Sequence, residues 1–291
     1  MTSTPALEVL IDRLHERGRL RVWSLVITVF GDAIVPRGGR VPLSVLQEIM
    51  SRLRIEPGAL RTALSRLAAD QWVIREKSGR NSLYSLDGHG RNAFDLATRR
   101  IYAGAPPAWD GVWTVAIPPP DATANARPDR LSEAGFIETG TGTWLRPETD
   151  RSSQADDAIQ GMLVFRQRPI LAPETLAGFW KLSGTAEAYQ AFEEAATPLA
   201  SLLEKGALPP LDAIAARTLL IHEWRRIVLH DPGLPAELLP RDWPGETARR
   251  IACDIYAKLA TPSEKWLDSA GLPPLTNPRQ FAGRFGMNRK G

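Results

Sequence analysis

The sequence contains a single cysteine, Cys253, among 291 residues, and it lacks any long apolar run. One thiol cannot form a disulfide within the chain, which is typical of a reducing compartment. No apolar run could cross a bilayer, and the first residues lack the apolar segment of a signal peptide. We therefore expect a cytoplasmic protein without a membrane partner, with Cys253 packed in a helical core.

Motifs of common enzymes are also missing. The sequence contains no nucleophile elbow, no P-loop and no dinucleotide-binding fingerprint. His222 and His230 stand eight residues apart with an acid after each. A zinc protease needs histidines four apart, so a structural pair is the preferred interpretation. The sequence therefore predicts no catalytic residue, no metal site and no cofactor.

Charge is distributed unevenly along the chain. The net charge is +3, but residues 1–104 hold sixteen Arg and Lys against ten Asp and Glu, while residues 105–291 hold twenty against twenty-three. A basic excess in the first third favours binding to a polyanion. Solvated basic surfaces are common, so this argument carries modest weight.

The segment from Leu43 to Leu86 has the pattern of two amphipathic helices followed by a β-hairpin. Apolar residues recur at helical spacing at Leu43, Leu46, Ile49, Met50 and Leu53, and again at Leu60, Ala63, Leu64 and Leu67. Pro57 suits the first turn of the second helix, and Glu56 could cap it and complement its dipole. The pattern predicts a helix-turn-helix whose second helix begins near Pro57.

The polar face of that second helix has residue types that contact DNA. Arginine, threonine and serine side chains bind phosphates and base edges in a major groove. Behind the helix, residues 72–76 and 82–86 have strand composition, with a polar, basic turn between them. Singly, each feature would also suit an ordinary soluble surface. The residues predicted to bind DNA are Arg61, Thr62, Ser65, Arg66, Lys77, Arg80 and Asn81.

Six short motifs stand in order along most of the chain. They are Thr28-Val29-Phe30-Gly31-Asp32, Ala59-Leu60-Arg61-Thr62-Ala63-Leu64-Ser65-Arg66-Leu67, Gly79-Arg80-Asn81-Ser82-Leu83-Tyr84, Trp109-Asp110-Gly111-Val112-Trp113, Leu229-His230-Asp231-Pro232-Gly233-Leu234-Pro235 and Leu239-Pro240-Arg241-Asp242-Trp243-Pro244-Gly245. In composition and order they resemble the motifs of the PaaX family of bacterial transcriptional repressors. Unrelated motifs rarely align over such a length.

Residue patterns and the resemblance together predict an α+β fold. The expected parts are an N-terminal winged helix-turn-helix domain at 1–104, a ferredoxin-like middle domain at 105–172 and a mainly helical C-terminal domain at 173–271. The middle segment has the element order β-α-β-β-α-β of a ferredoxin-like domain. Residues 272–291 show little periodicity, which predicts a disordered tail.

A metal-dependent nuclease is the alternative function. The resemblance implies a middle domain akin to CRISPR-associated ferredoxin-like nucleases, in which an acidic residue after the first strand is expected to hold a metal. Asp121 stands there, directly after Pro118-Pro119-Pro120. Three prolines would place Asp121 on a stiff loop, and one carboxylate seldom holds Mg²⁺. We therefore expect a regulator and not an enzyme.

A cluster of arginines and a tryptophan is predicted in the C-terminal helices. Guanidinium groups, a stacking surface and an apolar slot would suit a coenzyme A thioester, and founding members of the PaaX family sense phenylacetyl-coenzyme A. The alternative is that these arginines form ordinary salt bridges between domains. The resemblance implies a homodimer on palindromic double-stranded operator DNA, released by an acyl-CoA effector. The expected effector-binding residues are Arg217, Trp224, Arg225 and Arg226.

Overall fold

A computed structural model describes residues 5–16, 20–78, 81–119, 128–140, 142–150, 152, 156–168 and 178–289. The described helices are α1 (Pro5–Glu16), α2 (Val22–Val29), α3 (Leu43–Arg52), α4 (Pro57–Ala69), α5 (Gly88–Ile101), α6 (Pro128–Glu133), α7 (Ser183–Lys205), α8 (Pro210–Val228), α9 (Gly245–Ser269) and α10 (Pro278–Ala282). The described strands are β1 (Arg40–Pro42), β2 (Val73–Ser78), β3 (Asn81–Leu86), β4 (Trp109–Ile117), β5 (Ile137–Glu138), β6 (Trp144–Thr149) and β7 (Leu163–Gln167). No helix in these ranges is long and apolar enough to cross a membrane.

Helices α3 and α4 form where the apolar spacing predicts them. Their buried residues include Leu46, Ile49, Leu60 and Leu64, which lie on the inward faces of the two helices. Helix α4 begins at Pro57, which confirms the predicted start. Capping by the side chain of Glu56 was predicted and is wrong, since that side chain makes no capping hydrogen bond.

The hairpin behind α4 lies in an antiparallel sheet. Its described strands have the order β1-β3-β2, and Lys77 pairs with Ser82 across the hairpin. Strand β1, residues 40–42, pairs with the other edge of β3. The sequence patterns do not predict this short strand. Val73, Tyr84 and Leu86 bury their side chains against the core.

Strands β4 to β7 form a second antiparallel sheet with the order β5-β6-β4-β7. Helix α6 lies between β4 and β5 in the chain, and the 3₁₀ turn Asp156–Ile159 lies between β6 and β7. The order of strands is the predicted one, but a 3₁₀ turn of four residues stands where the second helix was expected. Packed against the sheet is an apolar cluster consisting of Ala116, Leu131, Phe136, Trp144 and Ile159.

The chain divides into two compact units. Unit 1 comprises residues 1–104, 188–229 and 244–291, and unit 2 comprises residues 105–187 and 230–243. The structure thus groups the long helices α8 and α9 with the N-terminal helices, where the sequence predicted a separate C-terminal domain. The reason is that α8 is buried along almost its whole length, and it packs against α1, α2, α3, α5 and α9. A helix that is apolar on most sides needs covering on most sides.

The predicted disordered tail is wrong for residues 272–286, which pack onto unit 1. Thr276 donates its backbone N–H to the carbonyl of Pro36 over 2.8 Å. The side chain of Asn277 accepts from the N–H of Gln280 and caps α10. Both Arg284 and Phe285 are buried. These contacts are long-range, and local periodicity does not reveal them.

Candidate functional site

The outward face of α4 carries Arg61, Thr62, Ser65 and Arg66, all exposed. The Thr62 hydroxyl donates to the carbonyl of Gly58 over 3.1 Å, which fixes it on the helix. Arg66 Nε lies 3.8 Å from an Asp70 carboxylate, and both side chains are more than half exposed. Such a surface pair is weak, so the guanidinium remains available to another anion.

The hairpin presents further polar groups. Lys77 is exposed on β2. Arg75 Nη2 donates to Ser82 Oγ over 3.0 Å, which ties the two strands together. Arg80 and the side chain of Asn81 lie outside the described residues, so their predicted DNA contacts stay predictions.

Two neighbouring helices hold the turn between α3 and α4. Arg54 adopts a left-handed backbone conformation with φ of 57°. Its guanidinium pairs with Glu8 and, over 2.6 Å, with Asp12, both on α1. Arg52 Nε pairs with Asp212 of α8 over 2.5 Å. Because these partners are distant in sequence, local patterns do not predict the ion pairs that hold this turn.

Asp32 is at the centre of a buried ionic network in unit 1. It lies in a π-helical turn, Phe30–Ile34, and is 2% exposed. Its carboxylate accepts from Tyr102 Oη over 2.6 Å, Tyr256 Oη over 2.9 Å, Arg217 Nε over 2.6 Å and Arg284 Nη1 over 2.9 Å. Burial alone would raise the pKa of Asp32, but the two arginine charges and the Tyr102 hydrogen bond hold that pKa below its usual value. The network is therefore ionised at neutral pH.

Arg217 belongs to this network. Besides Asp32, it contacts a Glu264 carboxylate oxygen through Nη1 over 2.6 Å, and Glu264 also pairs with Arg37. The Arg217 side chain is 0% exposed. Its guanidinium is held by protein groups on all its nitrogens, because Nη2 donates to the carbonyl of Asp32. The predicted role of Arg217 in contacting an effector is therefore corrected to a structural one.

Trp224 is also corrected. It is 1% exposed, and its Nε1 donates to the carbonyl of Ile101 over 2.7 Å. The rings of Tyr189 and Phe192 pack against it. Its faces are therefore covered, and it offers no stacking surface to a ligand. Arg226, in contrast, is 55% exposed and lies 3.6 Å from a Glu223 carboxylate.

Arg225, the fourth predicted effector residue, lines a cavity of about 230 Å³ in unit 1. Its Nη2 donates to the carbonyl of Ser24 over 3.0 Å and also contacts Ser24 Oγ. Arg225 Nε is buried without a hydrogen-bond partner among the described residues. Burial, aided by the charge of Arg226, lowers the pKa of Arg225 to about 10, so it remains a cation at pH 7.

The cavity is lined by residues of α2, the π turn, α5 and α8 and by Trp72. Its apolar lining includes Ile27, Phe94, Ala97, Ile101, Ile221 and Leu229. A Cβ on Gly31 would lie 2.4 Å from Phe94 Cε1, so the Phe94 ring rests where only glycine leaves room. Trp72 meets Phe94 edge-on, with ring centroids 6.4 Å apart.

The remaining predicted sites have less structure around them. His222 is buried, with its Nδ1 at 3.2 Å from Thr28 Oγ1. Cys253 is half-buried, which is less than its predicted core position. Asp121 lies outside the described residues. Among the residues that the structure does describe, no three or more His, Cys, Asp or Glu residues are grouped as metal ligands would be.

Comparison with known proteins defines the class. Residues 21–90 match the family model described as PaaX-like protein, and residues 180–269 match the PaaX-like protein C-terminal domain. The chain is 32% identical over 285 residues to the transcriptional repressor PaaX of Escherichia coli strain K12, which covers 91% of this chain and 90% of the relative. It is also similar to a solved structure of the uncharacterized protein Rv0674 from Mycobacterium tuberculosis, with 25% identity, a TM-score of 0.50, and coverage of 79% of this chain and 91% of the other.

The two matched segments contain α2, α3, α4 and the β2–β3 hairpin in the first case, and α7, α8 and α9 in the second. The relative in turn spans nearly the whole chain. The protein therefore belongs to the PaaX family.

Proposed function

We propose that the protein is a DNA-binding transcriptional repressor of an aromatic catabolic operon of the phenylacetate or styrene type. The observation that carries the proposal is the row of four exposed polar residues on α4, opposite a fully buried leucine face. The Escherichia coli relative, a transcriptional repressor, supports it. Because that relative is a regulator, the chain is assigned a regulatory role, and the nuclease alternative is not retained.

The architecture that suits this role is a winged helix-turn-helix. Helices α3 and α4 would form the helix pair, with α4 in the major groove and the β2–β3 hairpin as the wing. Arg61 and Arg66 would contact base edges or phosphates, and Lys77 and Arg80 would contact phosphates. We further propose a ferredoxin-like fold for the sheet of unit 2, since its antiparallel order β5-β6-β4-β7 has the first strand beside the third and the fourth.

Repression would come from a homodimer that places two α4 helices in successive major grooves of a palindromic operator. Bound protein would exclude polymerase from the promoter. An aromatic acyl-coenzyme A, such as phenylacetyl-coenzyme A, would bind a conformation with low DNA affinity and so release the operator. Of the four residues predicted to bind this effector, Arg225 and Arg226 remain in the proposal, since Arg217 and Trp224 are enclosed by protein.

Fluorescence anisotropy on labelled operator DNA tests the proposal. The operator is first selected from the promoter regions around the protein's own gene with purified protein. We expect phenylacetyl-coenzyme A to release the DNA, while free phenylacetate and free coenzyme A do not, because the acid lacks phosphates and the thiol lacks the ring. Linkage requires that the effector bind the DNA complex more weakly by the same factor. Release by free phenylacetate would contradict the requirement for a thioester effector. Failure to bind any promoter would contradict the assignment as a repressor.

A further inference from the structure

We infer that the cavity beside Arg225 binds an aryl group joined by a short arm to an acyl oxygen. The aryl group and the acyl oxygen are the part of the effector that unit 1 would hold. Only the expected change in DNA affinity rests on the proposed function. Binding itself depends on the cavity volume, the lining residues and the unpaired Nε of Arg225.

Volume sets the size of the occupant. The cavity holds about 230 Å³. An apolar cavity of about 150 Å³ is enough to bind benzene. The excess leaves room for one ring and a short acyl arm. The neighbouring cavity between α1, α7 and α8, lined by residues such as Leu10 and Leu199, holds about 40 Å³ and is too small for a ring.

The lining favours an aromatic occupant with one polar end. Phe94 and Trp72 supply ring edges and faces, and Ile27, Ile101 and Ile221 supply aliphatic walls. Pockets for small molecules are typically apolar with few, well-placed polar groups. Thr28, Asp32, Thr98 and Tyr102 also line the cavity, and Asp32 and Tyr102 are hydrogen-bonded to each other. Arg225 differs from them because its Nε is a buried donor that lacks an acceptor among the described residues.

An acyl oxygen would satisfy that donor. Leaving a buried charged donor unpaired is costly, and an acceptor on a ligand removes the cost. Arg225 is already held in place by Ser24, so little side-chain freedom would be lost when the oxygen arrives. A ring without an oxygen would fill the volume and leave Nε unpaired.

Trp72 links the cavity to the DNA-facing elements. Its backbone N–H donates to the carbonyl of Leu67 in α4 over 2.8 Å, and its own carbonyl accepts from Asp87 N–H, after β3, over 3.1 Å. The side chain of the same residue lines the cavity. An occupant that displaces the indole would therefore shift α4 relative to the hairpin, and DNA affinity would change.

Calorimetric titration with simple probes tests the inference on the full chain. The probes are methyl phenylacetate, phenylacetate and ethylbenzene, which carry a ring with an ester, a carboxylate or no oxygen. We expect methyl phenylacetate to bind about tenfold or more tightly than ethylbenzene, since a hydrogen bond to a charged group is worth about 1.5–3 kcal/mol. Phenylacetate, whose carboxylate also offers an acyl oxygen to Arg225 Nε, should likewise bind more tightly than ethylbenzene. Equal affinity for ester and hydrocarbon would overturn the role of Arg225.

Two variants locate the binding. Ala97→Phe fills the cavity and should weaken methyl phenylacetate binding at least tenfold, whereas Ala257→Phe, on the exposed side of α9, should leave it unchanged. If Ala97→Phe does not fold, Ala97→Leu replaces it. Unchanged binding in the filled variant would place the site elsewhere, and the repressor proposal would survive, because operator binding is measured separately. Probe binding without operator binding would instead leave the cavity assigned and the repressor rejected.

Discussion

Helices α4 and α8 both carry arginines, yet the structure uses them in opposite ways. On α4, Arg61 and Arg66 are exposed, since only the leucine face of the helix is covered. On α8, Arg217 is fully enclosed and holds Asp32 and Glu264. The residue type is the same, so its role depends on how many sides of its helix the rest of the protein covers. An arginine can contact a ligand only where the packing around its helix leaves a guanidinium N–H accessible and unpaired.

Removing the enclosed arginine should have the largest effect. Arg217→Ala removes one of the two arginines that pair with Asp32 and one of the two that pair with Glu264, and breaking a buried ion pair costs about 3–5 kcal/mol. The free energy of unfolding, measured by urea titration, should fall by that amount. The matched control on the same helix is Arg226→Ala, an exposed pair that contributes less than about 1 kcal/mol. If both substitutions lower the unfolding free energy equally, Arg217 is not the buried structural cation that this account requires.

The pH dependence of that cost follows from Asp32. Its pKa in the folded protein is below the usual 3.8, so its contribution to stability is complete above the ordinary pKa and is lost as pH falls through the folded value. The difference between wild type and Arg217→Ala should be constant near neutral pH and shrink as pH falls through the Asp32 pKa of the variant, which lies above the wild-type pKa because one arginine charge is lost. A difference that grows as pH falls would contradict an ionised Asp32.

Substituting Arg225 should have an intermediate effect, and the affected quantity is the effector concentration that releases the operator. Arg225→Ala removes the proposed donor to an acyl oxygen, so release of operator by phenylacetyl-coenzyme A should need at least about tenfold more effector. Operator affinity without effector should change little, because the Arg225 side chain contacts Ser24 of α2 and lines the cavity, and it is not part of the exposed face of α4. Arg225→Lys, which keeps the charge but loses Nε, separates hydrogen bonding from charge. If both variants still release operator at the wild-type effector concentration, the effector site lies elsewhere.

Much of the region formed by α3, α4 and the hairpin could be predicted from the sequence, because its signals are local. The periodicity of α3 and α4, Pro57 and the paired hairpin strands all lie within a few residues of one another. The Asp32 network was not predictable in this way, since its hydrogen bonds join residues 185 and 252 positions apart. The same reason explains the tail, whose Arg284 and Phe285 are ordered by distant partners.

The wing should give the smallest effect. Lys77→Ala removes one cation from β2, and a phosphate contact of this kind lowers the salt slope of binding by about 0.9 for B-DNA. Affinity should weaken to a similar degree for operator and unrelated DNA, because a phosphate contact carries no sequence information. Anisotropy titrations between low and moderate salt measure the slope. A loss confined to the operator would make Lys77 a base contact.

Operator affinity of the α4 variants tests the central claim most directly. Arg61→Ala and Arg66→Ala are titrated against labelled operator and unrelated DNA at one salt concentration, with Arg226→Ala as the control. We predict a loss of about 1–3 kcal/mol for an arginine that contacts a base, with relaxed specificity and no change in unfolding free energy beyond about 0.5 kcal/mol. The control should bind as wild type. Unchanged affinity for both α4 variants would contradict the assignment of α4 as the helix that reads DNA.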